Sequence, residues 1–434
     1  MRMKTFLILI MTFTTLYAGV LLKFETTNLS LNTFDIEASF ISSNFDAFAN
    51  LSISNNEKYY DPYHSRFYFG YNFNGFGGLY LKFKNISFKA GKILQGDEVD
   101  SPYSLFLSSQ RNPYVSMSLI YENNLFFFKT VWIELTKSVD VKNSVYSYTF
   151  PDRGMNYRVI GIKQGNFKLG YQESVIYTDR TFDFEYFFNP LPNFFTQYIN
   201  FVGRPFRQGT NDSSILGFFM SYRSNILYVY LQVLVDDLNM NRFYGGFQNP
   251  DKIGWSLGGK FSTPIGRIFV YHAGATKYTF EPSTSDVDDQ YYHYPDVIAP
   301  VGNSTRVIPI EENCVGYKYG ENTVSFLVGL DKEIIGLKTN LQFELLLSGS
   351  KSPVEPWQGY GRVPQGTHLL DEDPVEKIFR ISGSIKKQWN NLSIISKIEY
   401  EYIENPLTLA RNIYKPSEGF KNFIRLSFGL FYSF

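Results

Sequence analysis

The 434-residue sequence is short of most devices for covalent bracing or for chemistry. It has one cysteine, Cys314, so no internal disulfide framework can form. Cys314 also lies far from the amino terminus, which makes it a packed or loop thiol rather than a lipid attachment point. The four histidines, His64, His272, His293 and His368, show neither metal-ligand spacing nor a Gly-x-Ser-x-Gly context, so a metal centre and a serine hydrolase both lack footing. Charge of one sign is missing too. Lys+Arg and Asp+Glu each total 41, which gives neither the basic footprint of a nucleic-acid binder nor an acidic solvating tail. Beyond the first residues there is no run of ~20 apolar residues, so a helical membrane protein is excluded. If the chain spans lipid, only a closed barrel remains.

Aromatic residues are plentiful, at 18% of the chain, with 42 Phe and 33 Tyr against only 19% charged residues. The carboxyl-terminal "FIRLSFGLFYSF" alternates: Ile424, Leu426, Phe428, Leu430, Tyr432 and Phe434 on one face, Arg425, Ser427, Gly429 and Ser433 on the other. Successive strand side chains point to opposite sides, so one face meets an apolar medium and the other a wetter one. The pattern returns in "RFYFGYNFN", "LYLKFKN" and "VSMSLIYENNLFFFKTVWIEL". It returns again in "SNILYVYLQVLVDD", where Leu227, Val229, Leu231, Val233 and Val235 oppose Tyr228, Tyr230, Gln232 and Asp236. "LKTNLQFELLL" and "KKQWNNLSIISKIEYEYIE" repeat it, with Asn-Asn turns at 123–124 and 390–391.

The amino terminus has Arg2 and Lys4, an apolar run from Phe6 to about Phe13, then Ala18 and Gly19, the pattern of a cleaved export signal. The expected organisation is a signal peptide over 1–18 and one domain over 19–434. That domain is all-β, a transmembrane antiparallel up-and-down barrel; at ~23 residues per strand with its connection it has roughly 18 strands. It belongs in the bacterial outer membrane, touching lipid and lipopolysaccharide. Its terminal strand, ending at Phe434, would engage the barrel-insertion machinery. A barrel of that size encloses an aqueous channel, a plug of loops or an extended ligand. Three Pro-rich stretches, 187–212, 281–309 and 352–374, break the alternation and should lie outside the cell or fold into the mouth.

A further pattern runs through 157–237: Glu173, an Ile176-Tyr177 pair, Arg180, Tyr186, Asn189-Pro190, Asn211-Asp212, Gly217, then Tyr228, Tyr230, Gln232 and the Asp236-Asp237 pair. With "FKAGKILQGDEVDSPYSLFLSSQRNP" upstream and "ATKYTF", "YYHYP" and "PVGNS" downstream, it resembles the Wzi-type capsule assembly family from about Phe88 to Thr305. The resemblance implies a barrel of about this strand number that binds extracellular polysaccharide and helps to assemble or retain it, without catalysis or cofactor. It places Glu173, Tyr177, Arg180, Asn189, Asp236 and Asp237 at the lumen or mouth.

Sugars are held by aromatic stacking and by planar polar groups, so Tyr, Trp and Arg in the long loops are the binding candidates. These are Arg204, Arg207, Tyr291, Tyr292, Tyr294, Trp357 and Tyr360, weighed against plain loop packing or interfacial girdles. Glu173 and Arg180 are expected to pair in the lumen. Adjacent Asp236 and Asp237 point to opposite faces of a strand, which argues against a joint catalytic role. "DVDD" at 286–289 lacks the Gly and distal Glu of a calcium loop, so no metal site is expected. A general diffusion channel is the alternative function.

Overall fold

The computed structural model describes residues 17–28, 31–55, 67–68, 71–108, 113–137, 139–142, 147–150, 152–202, 212–238, 249–281, 292, 298–301, 304–307, 311, 314–351, 365–410 and 413–433. Eighteen long strands form one closed antiparallel barrel. The first nine are β1 (Tyr17–Thr27), β2 (Leu31–Ile41), β3 (Phe45–Ser54), β4 (Tyr71–Phe83), β5 (Ile86–Ile93), β6 (Tyr114–Glu122), β7 (Phe126–Thr136), β8 (Arg153–Gln164) and β9 (Phe167–Thr178). The others are β10 (Ser213–Arg223), β11 (Leu227–Asp237), β12 (Lys252–Thr263), β13 (Gly266–Ala275), β14 (Thr323–Ile334), β15 (Leu337–Ser348), β16 (Glu376–Trp389), β17 (Leu392–Glu404) and β18 (Phe420–Ser433). Each long strand pairs with its neighbours in sequence. The barrel closes where β1 meets β18, from Leu21 opposite Ser433 to Thr27 opposite Ser427. Residues 1–16 of the expected 1–18 signal, and Phe434, lie outside the described residues, and Tyr17 and Ala18 open β1.

Period-two alternation sets the wall. On β18 the outward row Ile424, Leu426, Phe428, Leu430 and Tyr432 is exposed, as a hydrocarbon-facing surface must be. On β11 the outward Leu and Val row faces away from Tyr228, Tyr230, Gln232 and Leu234, which are buried inside. Turns of two or three residues join the strands at one rim, as at 84–85, 165–166 and 390–391. At 335–336 both turn residues have positive φ, Ile335 at 52° and Gly336 at 67°, the geometry that matches the twist of a two-residue hairpin. All of the long connections leave from the opposite rim, where only β1 and β2 are joined by a short one. Three of the long ones, 137–152, 276–322 and 405–419, carry small two-stranded hairpins that are separate from the barrel sheet. Among the described residues no helix is long and apolar enough to cross a membrane.

Two short helices, α1 (Phe184–Phe188) and α2 (Asn193–Val202), occupy part of the 187–212 stretch that the sequence reading assigns to a loop. Asp183 caps α1 by accepting from the backbone N–H groups of Glu185 and Tyr186.

Candidate functional site: a filled lumen and an external helical flap

The connection after β5 turns into the barrel. Its neck is closed by the Asp97 N–H donating to the Leu107 carbonyl at 3.2 Å. Inside the neck the Asp97 carboxylate accepts from the Val99 and Phe106 amides and from Gln232 Nε2 at 2.8 Å. Gln232 Oε1 in turn accepts from the Leu105 amide at 3.0 Å. Tyr228 accepts from the Asp100 amide at 2.8 Å, and the Tyr230 hydroxyl meets Ser101 at 2.5 Å. Thus Tyr228, Tyr230 and Gln232, one inward row of β11, grip the inserted segment through successive polar contacts.

A second segment, 314–322, packs against the first, with the Ser108 amide donating to the Val315 carbonyl at 3.1 Å. Tyr103 and Tyr319 both donate to Glu344 Oε1 on β15, at 2.6 and 2.5 Å. Arg380 on β16 donates to the other oxygen of Glu344 at 2.7 Å. The rings of Tyr103, Tyr271, Tyr317 and Tyr319 meet edge-on or tilted within 6.5 Å. Burial, and then the charge of Glu344, raises the Tyr103 hydroxyl well above the usual tyrosine range, so it stays a donor. Glu98, near the neck, is held below the usual carboxylate range: burial raises it, but Lys129 at 3.1 Å and Lys168 at 3.7 Å more than offset that. Together the two segments fill the lumen against β6–β16.

The rest of the inner wall is wetter. On β17, β18 and β1 the inward Lys397, Arg425, Lys23 and Glu25 keep 45%, 47%, 30% and 41% of their side chains exposed. They pair with one another or with Glu399 and Asp35, so both signs line this side.

The residues from Glu173 to Asp212 that carry the family resemblance converge elsewhere, on the outside of the barrel. Register places Arg158 of β8 opposite Thr130 of β7 and Glu173 of β9. The neighbours Tyr157, Gln172 and Ser174 point inward, where Tyr157 packs on Phe106 and Ser174 donates to Tyr292. Arg158 and Glu173 therefore face outward, yet they are fully buried, because α1 and α2 fold down over them. Arg158 donates to the carbonyls of Tyr186 and Leu191 and lies 3.7 Å from Glu173. Glu173 also accepts from the Asn193 amide at 2.7 Å and from Tyr171 at 2.9 Å. Asn156 bridges Asn193 to Thr130.

Above this pair, Tyr177 and Tyr186 stack at 5.6 Å, with the Arg180 guanidinium 4.6 Å over Tyr177. Arg180 donates to Asp183 and Asp212, both at 2.8 Å, and Tyr186 donates to Asp212. The Asn189 side chain accepts from the Leu191 amide and fixes the turn between the helices. The expected lumen pair of Glu173 with Arg180 is thus corrected: each has a different partner, Glu173 on the outer wall beneath the flap and Arg180 in the flap's own polar cluster. Tyr177 and Asn189 likewise leave the lumen for this flap. Sequence reasoning missed Arg158 and Asn193. The available signal was Asn193, Thr196 and Gln197 at helical spacing among aromatics.

Asp236 and Asp237 separate as expected, at a bulge in the β11–β12 pairing. Asp236 accepts from Lys252 Nζ and from the Phe280 amide, both at 2.8 Å, and Asp237 accepts from Asn249. Tyr292, an expected sugar contact, is buried. It donates to the Phe106 carbonyl at 2.7 Å and braces the filling instead. Arg204, Arg207, Tyr291, Tyr294, Trp357, Tyr360 and the 286–289 acidic run lie outside the described residues. Among the described residues no group of His, Cys, Asp and Glu is arranged to hold a metal ion.

An 18-stranded closed barrel, apolar outside and charged inside, defines an outer-membrane β-barrel protein. No protein-family model matches the chain, and no curated protein sequence matches it. Among solved structures it is similar to Wzi of Escherichia coli, described as an outer-membrane protein involved in group 1 capsule assembly and a carbohydrate-binding β-barrel. That similarity has a TM-score of 0.55 at 10% identity, over 95% of this chain and 83% of that one. It is also similar to OccK1 of Pseudomonas aeruginosa (TM-score 0.49, 10% identity, 96% and 98% covered). OccAB4 of Acinetobacter baumannii gives 0.45 at 9% identity, over 96% and 97%.

Proposed function

We propose that this barrel binds extracellular polysaccharide at its long-loop rim and helps to hold or assemble it at the cell surface, without turning it over. The observation that carries this reading is the packed filling of the lumen against β6–β16. Residues 97–107 and 314–322 form a floor of tightly packed tyrosines and paired charges beneath the long loops. A floor suits a protein that retains a polymer at its mouth. On this reading the long-loop rim faces outward, and Arg204, Arg207, Tyr291, Tyr294, Trp357 and Tyr360 supply stacking and planar hydrogen bonding to sugar. The described carbohydrate binding of Wzi accords with it.

A diffusion channel is the second reading, favoured by the part-exposed charges of both signs on β17, β18 and β1. One pair of measurements separates the two. Refolded protein on a glycan array should retain particular polysaccharides and be electrically quiet in planar bilayers. Steady conductance with no glycan retained would establish the channel and remove the binder.

A further inference from the structure

Helix α2 has its faces reversed for a segment in water. Asn193, Thr196 and Gln197 face the barrel, while Phe194, Phe195, Tyr198 and Ile199 are 43–59% exposed. Helix α1 also presents Phe184 and Phe188 to the outside, while Tyr186 and Phe187 are buried beneath it. A surface helix in water buries its apolar stripe and shows its polar one. Reversal is what a hydrocarbon solvent selects, since there the polar groups must be satisfied against protein.

Position points the same way. Arg158, the flap's anchor, is the sixth of the twelve residues of β8, about halfway down the wall. The flap thus reaches well below the long-loop rim on the outer side. Its exposed aromatics continue the lipid-facing surface of the neighbouring β10, where Phe218 and Met220 are also exposed. Its inner face is joined to the wall through Glu173, Asn156 and Ser214.

We propose that α1 and α2 form a lipid-embedded flap whose occupant is the acyl chains of the membrane, reached from outside the barrel. The Arg158–Glu173 pair is then a polar seat at mid-membrane depth, sealed from lipid by the helices. The inference does not depend on the polysaccharide reading.

The test is nitroxide accessibility in bilayers. Phe195→Cys and Tyr198→Cys, each in a Cys314→Ser background, are spin-labelled and compared with Phe218→Cys on β10 and with Asn124→Cys in an exposed turn. Heat-modifiable gel mobility confirms folding. Both flap labels should match the Phe218→Cys label, open to oxygen and shielded from an aqueous nickel chelate. Nickel accessibility like that of the Asn124→Cys label overturns the proposal, and so does dipolar broadening between copies, which would make a second barrel the occupant. Tyr198→Trp, which leaves Cys314 in place, reads the same point independently: fluorescence gained over wild type should be quenched by brominated acyl chains. Quenching by aqueous iodide alone overturns the proposal.

Discussion

Single residues decide whether the flap stays seated. Arg158 and Glu173 are both buried, and removing one partner leaves a charge without its counterpart at a costly depth. Arg158→Met should destabilise the folded barrel by about 3–5 kcal/mol. Arg158→Met with Glu173→Gln should recover most of that loss. Equilibrium urea unfolding in detergent or lipid measures both, and equal losses for single and double variants would show that the pair is not coupled. A second residue-scale contact lies near the long-loop rim, where Glu372 accepts from Lys277, from the Ser350 amide at 2.7 Å and from the Ser350 hydroxyl. Burial raises the Glu372 carboxyl, but Lys277 and Ser350 more than offset this and hold it below the usual range. A depressed folded-state value means that the contact contributes fully at neutral pH and is lost as pH falls through that value. Hydrogen exchange at the Ser350 amide, corrected for intrinsic rates, should lose protection in that acid window and hold steady between pH 6 and 8.

At the scale of elements, the two inserted segments meet with no spare room. A Cβ on Gly316 would lie 1.9 Å from the Leu105 carbonyl oxygen, so Gly316→Ala must push the segments apart. The expected cost is about 1–3 kcal/mol of overpacking, with faster hydrogen exchange at the Ser108 amide and an unchanged barrel wall. The wall strands were legible because lipid on one side and packed or wet groups on the other demand opposite polarity at every second residue. "LYVYLQVLVDD" shows this plainly, and the expectation of roughly 18 strands matches the eighteen found. The flap was not legible in the same way. Its sequence, "FFNPLPNFFTQYIN", has the aromatic content of a loop that packs or binds sugar, and helices are ordinarily recognised by an apolar stripe facing protein. Here the informative stripe is the polar one, and only the outer wall beneath it gives that stripe meaning. Tyr228, Tyr230 and Gln232 were legible as a row opposite the Leu and Val face, but nothing local told that their partners lie at positions 97–105, more than a hundred residues earlier.

For the whole molecule, filling and wall are separate pieces of work. Asp97 and Leu107 are already hydrogen-bonded neighbours, so deleting residues 98–106 should leave the eighteen-strand wall closed while removing half of the floor. Such a deletion variant should fold, as judged by heat-modifiable mobility, and should pass ions in planar bilayers where the intact protein is quiet. A quiet deletion variant would mean that residues 314–322 alone suffice as a seal. The narrow attachment has a wider consequence. An insert joined to its shell at two touching points can lengthen, shorten or change its chemistry without shifting the register of any stave, so barrels with this outline can carry unlike interiors and serve unlike polymers or solutes.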